Sequence, residues 1–247
     1  MQAITKDGTP QLLSAILLYG TDAVDEVQGQ FFATVHPVRH AADGSASIAP
    51  GVPATKAAVL AALRHLIDER LAPSILPAHV LARGADHLVW YRPASKRTLW
   101  FRCEELGGER SAVVPIPAVL WMAHPLSNEC SVFALRSDDR PDSNTELYQA
   151  PFYNVWDTGR VCVGNVGMPT GIDALDPAKW EEAFFSSWFS HSNTSRLVRH
   201  KAGITDFTNN LLNGKHRVFP KAKLYPLRTT VGKQFEAFMK RVTNGQA

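Results

Sequence analysis

Residues 12–19 (LLSAILLY) and 30–37 (QFFATVHP) are apolar runs rich in branched and aromatic side chains, with an acidic stretch around Asp22 and Glu26 between them. Two such runs joined by a polar connection predict a β-hairpin. From Ala41 to Pro53 the chain turns to Gly, Ser, Ala and Pro, which predicts a loop or linker. A helical period follows: Thr55 can cap a helix whose Val59, Leu63, Leu66 and Ile67 share one face, until Pro73 stops the pattern. Short apolar segments then dominate, at 87–92 (HLVWYR), 98–102 (TLWFR), 112–123 (AVVPIPAVLWMA) and 131–136 (SVFALR), each bounded by turn residues. They predict an antiparallel meander. After a polar loop at 137–144, the residues from Glu146 to Gly171 follow no period, and long irregular segments of that kind in compact domains are often functional. Asp176 followed by Pro177 is a helix start, and Trp180, Phe184 and Trp188 at four-residue spacing give that helix a bulky apolar face to lay on the meander. A last amphipathic helix is predicted over VGKQFEAFMKRV, residues 231–242.

The order of elements predicts an α+β fold, an antiparallel meander flanked by helices packed mainly on one face, with an N-terminal β-hairpin extension. The expected partition is a β-rich extension over 1–53, a main domain over 54–195, and a basic segment with a helix over 196–247. With 247 residues, 45% of them hydrophobic and 20% charged, the chain can bury a sizeable core. No uncharged apolar run of about 18 residues occurs and the first residues lack a signal-peptide pattern, so a cytoplasmic protein without a membrane span is expected. A net charge of +3 is too mild to imply nucleic acid. Only the tail is locally basic, with Lys215, Arg217, Lys221, Lys223 and Arg228.

Chemistry concentrates in the aperiodic segment. Cys103, Cys130 and Cys162 are odd in number and lack CxxC spacing, which indicates neither a disulfide framework nor a four-cysteine zinc site and leaves at least one free thiol. His36 and His40 are four apart, but in a strand pattern without an HExxH glutamate, so no metal site is expected. The run GNVGMPTG lacks both the GxGxxG and the phosphate-loop pattern, reads as a pliable rim, and leaves no cofactor expected. Between Asn154 and Cys162, the Asp157-Thr158-Gly159 turn can fold the chain so that the Asn154 amide approaches the Cys162 thiol. A thiolate is a nucleophile for acyl transfer, and an amide can donate to the oxyanion that forms when a thioester is attacked. Cys103 and Cys130 have no such surroundings and read as structural.

This arrangement resembles the active-site segment of ubiquitin-conjugating enzymes, in which a His-Pro-Asn motif precedes the catalytic cysteine by eight residues and a glycine stands three before it. Asn154, Gly159 and Cys162 have that spacing, Val161 and Val163 form the apolar flanks, and helix, meander, Asn-to-Cys segment and helix follow in the family's order. Within that family the chain is similar to the divergent prokaryotic branch called family D, over roughly residues 55–190. The resemblance implies that Cys162 carries the C-terminus of a ubiquitin-like protein as a thioester, received from a ThiF-like activating enzyme and passed to a protein or other amine acceptor. It further implies that Asn154 aids transfer, with Asp157, Gly159 and Tyr153 in support. Phe152 and Tyr153 replace the family's His and Pro, and neither the Trp of the following loop nor the acidic residue that helps deprotonate the acceptor has a counterpart; His191 and Asn193 lie near that place. Two other readings stay open: a cysteine hydrolase with His124 or His191 as base, and a non-catalytic assembly module of the same shape.

Overall fold

A computed structural model describes residues 12, 14–19, 32–41, 44–55, 59, 75–84, 86–162, 167–170 and 173–243. The helix expected after Thr55 lies, but for Val59, outside the described residues. The chain divides into two compact units, 1–73 and 74–247.

In the first unit, β1 (Ser14–Tyr19) pairs antiparallel with β2 (Phe32–His40), in register from Ser14 opposite Pro37 to Tyr19 opposite Phe32. The two apolar runs therefore form the expected hairpin. The Gly-Ser-Ala-Pro segment is less irregular than its composition predicts. Its β3 (Ala46–Ile48) and β4 (Val52–Ala54) both pair with β2, whose nine residues offer backbone partners that override weak strand propensity. His36 is taken up locally, its ring nitrogens lying 2.8 Å from Thr34 Oγ1 and 3.0 Å from the Ala49 carbonyl.

The second unit holds β5 (Val80–Arg83), β6 (Leu88–Arg92), β7 (Ser95–Cys103), β8 (Gly108–Ile116), β9 (Ala118–His124), β10 (Glu129–Leu135), β11 (Glu146–Gln149), α1 (Pro177–Phe185), β12 (Trp188–Phe189), α2 (Gly203–Leu212), β13 (Pro226–Thr230) and α3 (Val231–Thr243). Six strands form an antiparallel sheet in the order β13-β11-β10-β9-β6-β5, and three form a smaller sheet, β12-β7-β8. The run 112–123, expected as one strand, divides at Pro117, which lacks the N–H a central strand needs. β7 and β8 fold away as a long hairpin, and β6 pairs directly with β9. The result is still an antiparallel meander, but with one hairpin turned out of it.

Helices cover both faces of the six-stranded sheet, not mainly one. Along β9 the period of two sends Val119, Trp121 and Ala123 into one apolar cluster and Ala118, Leu120 and Met122 into another. α1 and α2 supply Trp180, Phe184, Phe207 and Leu211 to the first, α3 supplies Phe238 to the second. Asp176 caps α1 by accepting from Ala178 N at 2.9 Å, with Pro177 in the first turn as expected. Glu181 pins the helix: its buried carboxylate accepts from Trp90 Nε1, Arg92 Nε and Arg97 Nη2 at 3.0, 2.6 and 3.0 Å. α1 stops at Phe185, where Ser186 and Ser187 hydroxyls donate back to the carbonyls of Glu182 and Phe184. Trp188 therefore leaves the helix face expected for it and, in β12, pairs parallel with Trp100 of β7. Among the described residues no helix is long and apolar enough to cross a membrane.

Candidate active site

Residues 154–162 close a tight hairpin. Its arms meet at the Val155–Val161 bridge, with Trp156 N donating to the Arg160 carbonyl at 2.9 Å and Cys162 N to the Asn154 carbonyl at 2.6 Å. Gly159 N donates to the Trp156 carbonyl at 2.9 Å, which makes exposed Asp157 and Thr158 the central residues of the turn and Gly159 the bulge residue after it. Gly159 has φ +81°, and a Cβ there would fall 2.1 Å from Phe133 Cε1. Both the backbone and the space require glycine at that position.

The second arm is sewn into the main sheet. Val161 N donates to the Cys130 carbonyl and Gly159 O accepts from Val132 N, both at 2.8 Å, around a Ser131–Arg160 bridge. It takes the part of β10 that β11 leaves free, since β11 pairs with Phe133 and Ala134 alone. The register sets Cys130 opposite Val161, both in the first core cluster. One step further it sets Glu129 opposite Cys162, and alternation puts Glu129, Ser131, Arg160 and Cys162 on the other face. Of the three cysteines, Cys103 and Cys130 are 6% and 2% exposed, while Cys162 is partly exposed. Burial, and secondarily the Glu129 carboxylate, push the Cys130 thiol far up.

Asn154 is 8% exposed with φ +61°, a left-handed conformation that Asn tolerates. Its side-chain Nδ2 donates to the Trp188 carbonyl at 2.9 Å and its Oδ1 accepts from Ser190 N at 3.5 Å. The amide thus ties the hairpin to β12, and the group Asn154 offers to Cys162 here is its backbone carbonyl. Tyr153 and Phe152 anchor the hairpin's base at 2% exposure each. The Tyr153 ring meets Phe101 edge-on at 5.3 Å, and Phe152 packs on Phe184, Phe185 and Phe189. Burial raises the Tyr153 phenol above its ordinary value. The aromatic pair therefore fills with packing the place where a His-Pro brace would stand.

Three supports escaped the sequence reading. Gln149, 1% exposed, donates Nε2 to the Trp156 carbonyl at 3.0 Å; its one signal was a polar residue inside an apolar strand. Glu129, 4% exposed, accepts from Arg241 Nε of α3 at 3.1 Å and has Arg160 Nη2 at 3.3 Å from its other oxygen. Arg241 also donates to Ser131 Oγ at 3.2 Å.

Neither candidate histidine is on a strand next to Cys162. His124 stands opposite Glu129 in β9. Two strand spacings, roughly 10 Å, therefore separate its backbone from Cys162. Its Nδ1 is engaged with Ser127, 2.7 Å from Oγ. On the other side, the His191 carbonyl accepts from Asn154 N, one backbone bond beyond the residue that holds Cys162. A general base must come within about 3 Å of the proton it takes, or reach it through one water. Residues 163–166 lie outside the described ones; beyond them Met168, Pro169 and Thr170 face Lys179, Glu182 and Ser186 of α1 and its C-terminal turn across a cleft of about 400 Å³. Among the described residues no group of three or more His, Cys, Asp or Glu could hold a metal ion.

Fold and site together define a mixed α+β protein whose one partly exposed cysteine sits on a sheet-anchored hairpin between a meander and a helix. The family model for prokaryotic E2 family D matches residues 58–227, and the chain belongs to that family. A ubiquitin-conjugating-like role of transferase type follows, in company with ubiquitin-like proteins and activating enzymes in general. No curated protein and no solved structure matches the chain.

Proposed function

We propose that this protein carries a ubiquitin-like protein as a thioester on Cys162, taking it from a ThiF-like activating enzyme and passing it to an amine acceptor. Within family D it resembles PRTRC system protein B of plasmid-borne cassettes, which also encode a ThiF-like enzyme and a small ubiquitin-like protein. The observation that carries the reading is the contrast among the three cysteines: Cys162 alone is partly exposed rather than buried, on a hairpin held at both arms. In charging, the Cys162 sulfur attacks the donor thioester carbonyl, a new S–C bond replaces the old one, and the leaving thiolate takes a proton. Exchange between thioesters is close to thermoneutral, so access and orientation matter most. Asn154 acts in transfer through placement, holding β12 with its amide and Cys162 with its carbonyl; Asp157, Gly159 and Tyr153 keep the hairpin in shape.

The test is incubation with the cognate ubiquitin-like protein, activating enzyme and ATP, followed by a nonreducing gel. A reductant-sensitive adduct should form on the wild type and on Cys103→Ser and Cys130→Ser. On Cys162→Ser it should vanish or become a reductant-resistant ester. An adduct of unchanged character on Cys162→Ser refutes the assignment.

A further inference from the structure

Beside Cys162 lies a charge arrangement that the thioester chemistry does not use. Arg160 precedes Cys162 by two residues in an extended arm, so the two side chains leave the same face with Cα atoms roughly 7 Å apart. The face is fixed by contacts: Arg160 reaches Glu129, and Glu129 and Ser131 both receive Arg241 from α3. The three charged groups sum to one positive charge.

That charge is held with little slack. The Glu129 side chain is 3% exposed, and its Oε1 makes no hydrogen bond although Arg160 Nη2 lies 3.3 Å away. The pairing is Coulombic and off the hydrogen-bond axis. Arg160, 42% exposed, has no other side-chain partner among the described residues. Among the described residues most of its donors therefore have no partner, and a guanidinium presents them in a fork that fits a carboxylate. Arg241 is different: its side chain is 21% exposed and its donors go to Glu129 Oε2 and Ser131 Oγ. The buried carboxylate thus acts as a clamp. It takes up one charge through Arg241 and steers the second guanidinium towards Cys162 without satisfying it.

We infer that Arg160 is a specificity-determining residue, selecting an acyl donor segment that carries a carboxylate within about three residues of the carbonyl that joins Cys162. This rests on the reading of Cys162 as an acyl carrier, and names the class of segment it accepts. An extended segment advances about 3.3 Å per residue, so a side chain one to three residues from the acyl carbonyl falls within reach of a cation placed roughly 7 Å from the thiol residue. The step is the exchange already written, with no redox partner. Arg160 contributes attraction for the incoming segment, and Glu129 is a positioning residue that acts through Arg160.

The test uses the full-length protein and two synthetic peptide thioesters, identical except for Asp or Asn two residues before the thioester carbonyl. Wild type should acylate faster with the Asp peptide. One charge at this distance in a solvent-facing site corresponds to roughly a threefold to tenfold preference. The preference should shrink in high salt. It should disappear in Arg160→Gln and persist largely in Arg160→Lys. Reaction with neutral 2,2′-dithiodipyridine checks the fold: an intact variant should yield one fast thiol, whereas an unfolded one should yield three. If Arg160→Gln proves unfolded, Arg160→Met, which keeps the aliphatic stem and removes the charge, takes its place and should show no preference. No Asp preference in wild type, or a preference that survives in folded Arg160→Gln, overturns the inference. Because small thioesters bypass the activating enzyme, a peptide preference without any adduct of the ubiquitin-like protein would sink the carrier reading while leaving the selectivity of Arg160 standing.

Discussion

Replacing Gly159 by alanine should damage the hairpin in two separable ways. The first is conformational: at φ +81° an L side chain crowds its own backbone, at a cost of about 1–2 kcal/mol. The second is steric. The new Cβ would fall 2.1, 2.4 and 2.9 Å from three atoms of the Phe133 ring, where real contacts begin near 3.4 Å. Phe133 is 1% exposed and packed in the cluster with Leu120, Met122 and Phe238, so the ring cannot simply swing into solvent. Overpacking of this kind costs about 1–3 kcal/mol. Together they predict a loss of about 2–5 kcal/mol for the unit spanning 74–247. Urea unfolding measures it, with ΔG from the linear extrapolation. A double-mutant cycle separates the two parts, because Phe133→Leu removes most of the ring that the Cβ meets. Gly159→Ala should cost about 1–3 kcal/mol less in the Phe133→Leu background than in wild type, leaving the conformational part. A single-mutant loss below about 1 kcal/mol, or an equal loss in both backgrounds, would refute this account of the turn.

Asn154→Ala removes the amide bonds to β12 and places alanine at φ +61°, whereas Asn154→Gly removes the amide alone. In the charging and lysine-discharge assay both should still charge and should discharge more slowly, with the glycine variant the more stable; equal loss in both steps would mark a folding defect instead. Glu181→Leu strands the indole N–H of fully buried Trp90 and frees Arg92 and Arg97, which are partly solvated. A destabilisation of about 2–3 kcal/mol is expected by chemical denaturation. Iodoacetamide at pH 8 should label Cys162 alone, since burial pushes the Cys130 thiol up and Cys103 is 6% exposed; native-state labelling of Cys130 at a comparable rate, read by mass spectrometry, would contradict the packing.

Local chemistry was legible in the sequence wherever a short run decides the outcome. The apolar runs at 12–19 and 30–37 yield a hairpin, Asp176-Pro177 a capped helix, and VGKQFEAFMKRV the helix α3, because cap, ring and period act within a few residues. The Asp157-Thr158-Gly159 turn belongs with them; it brings the Cys162 N–H back to the Asn154 carbonyl, whereas the spacing predicts an approach of the side-chain amide to the thiol. α2 was missed although Ile204, Phe207 and Leu211 carry a helical period, since it begins at Gly203 without a side-chain cap. Other outcomes needed partners distant in sequence. Trp188 fits the period of α1, yet two serine hydroxyls end the helix and Trp100 recruits the residue to a strand. Asn154 has the spacing of an oxyanion donor, yet its amide hydrogen-bonds with backbone 34 and 36 residues away. Glu129 and Arg241, 112 residues apart, meet only because β10 and α3 pack on one face. Spacing along a chain specifies turns and periods, whereas the partner of a charge or an amide is set by which strands become neighbours, and that is decided by the burial of the whole core.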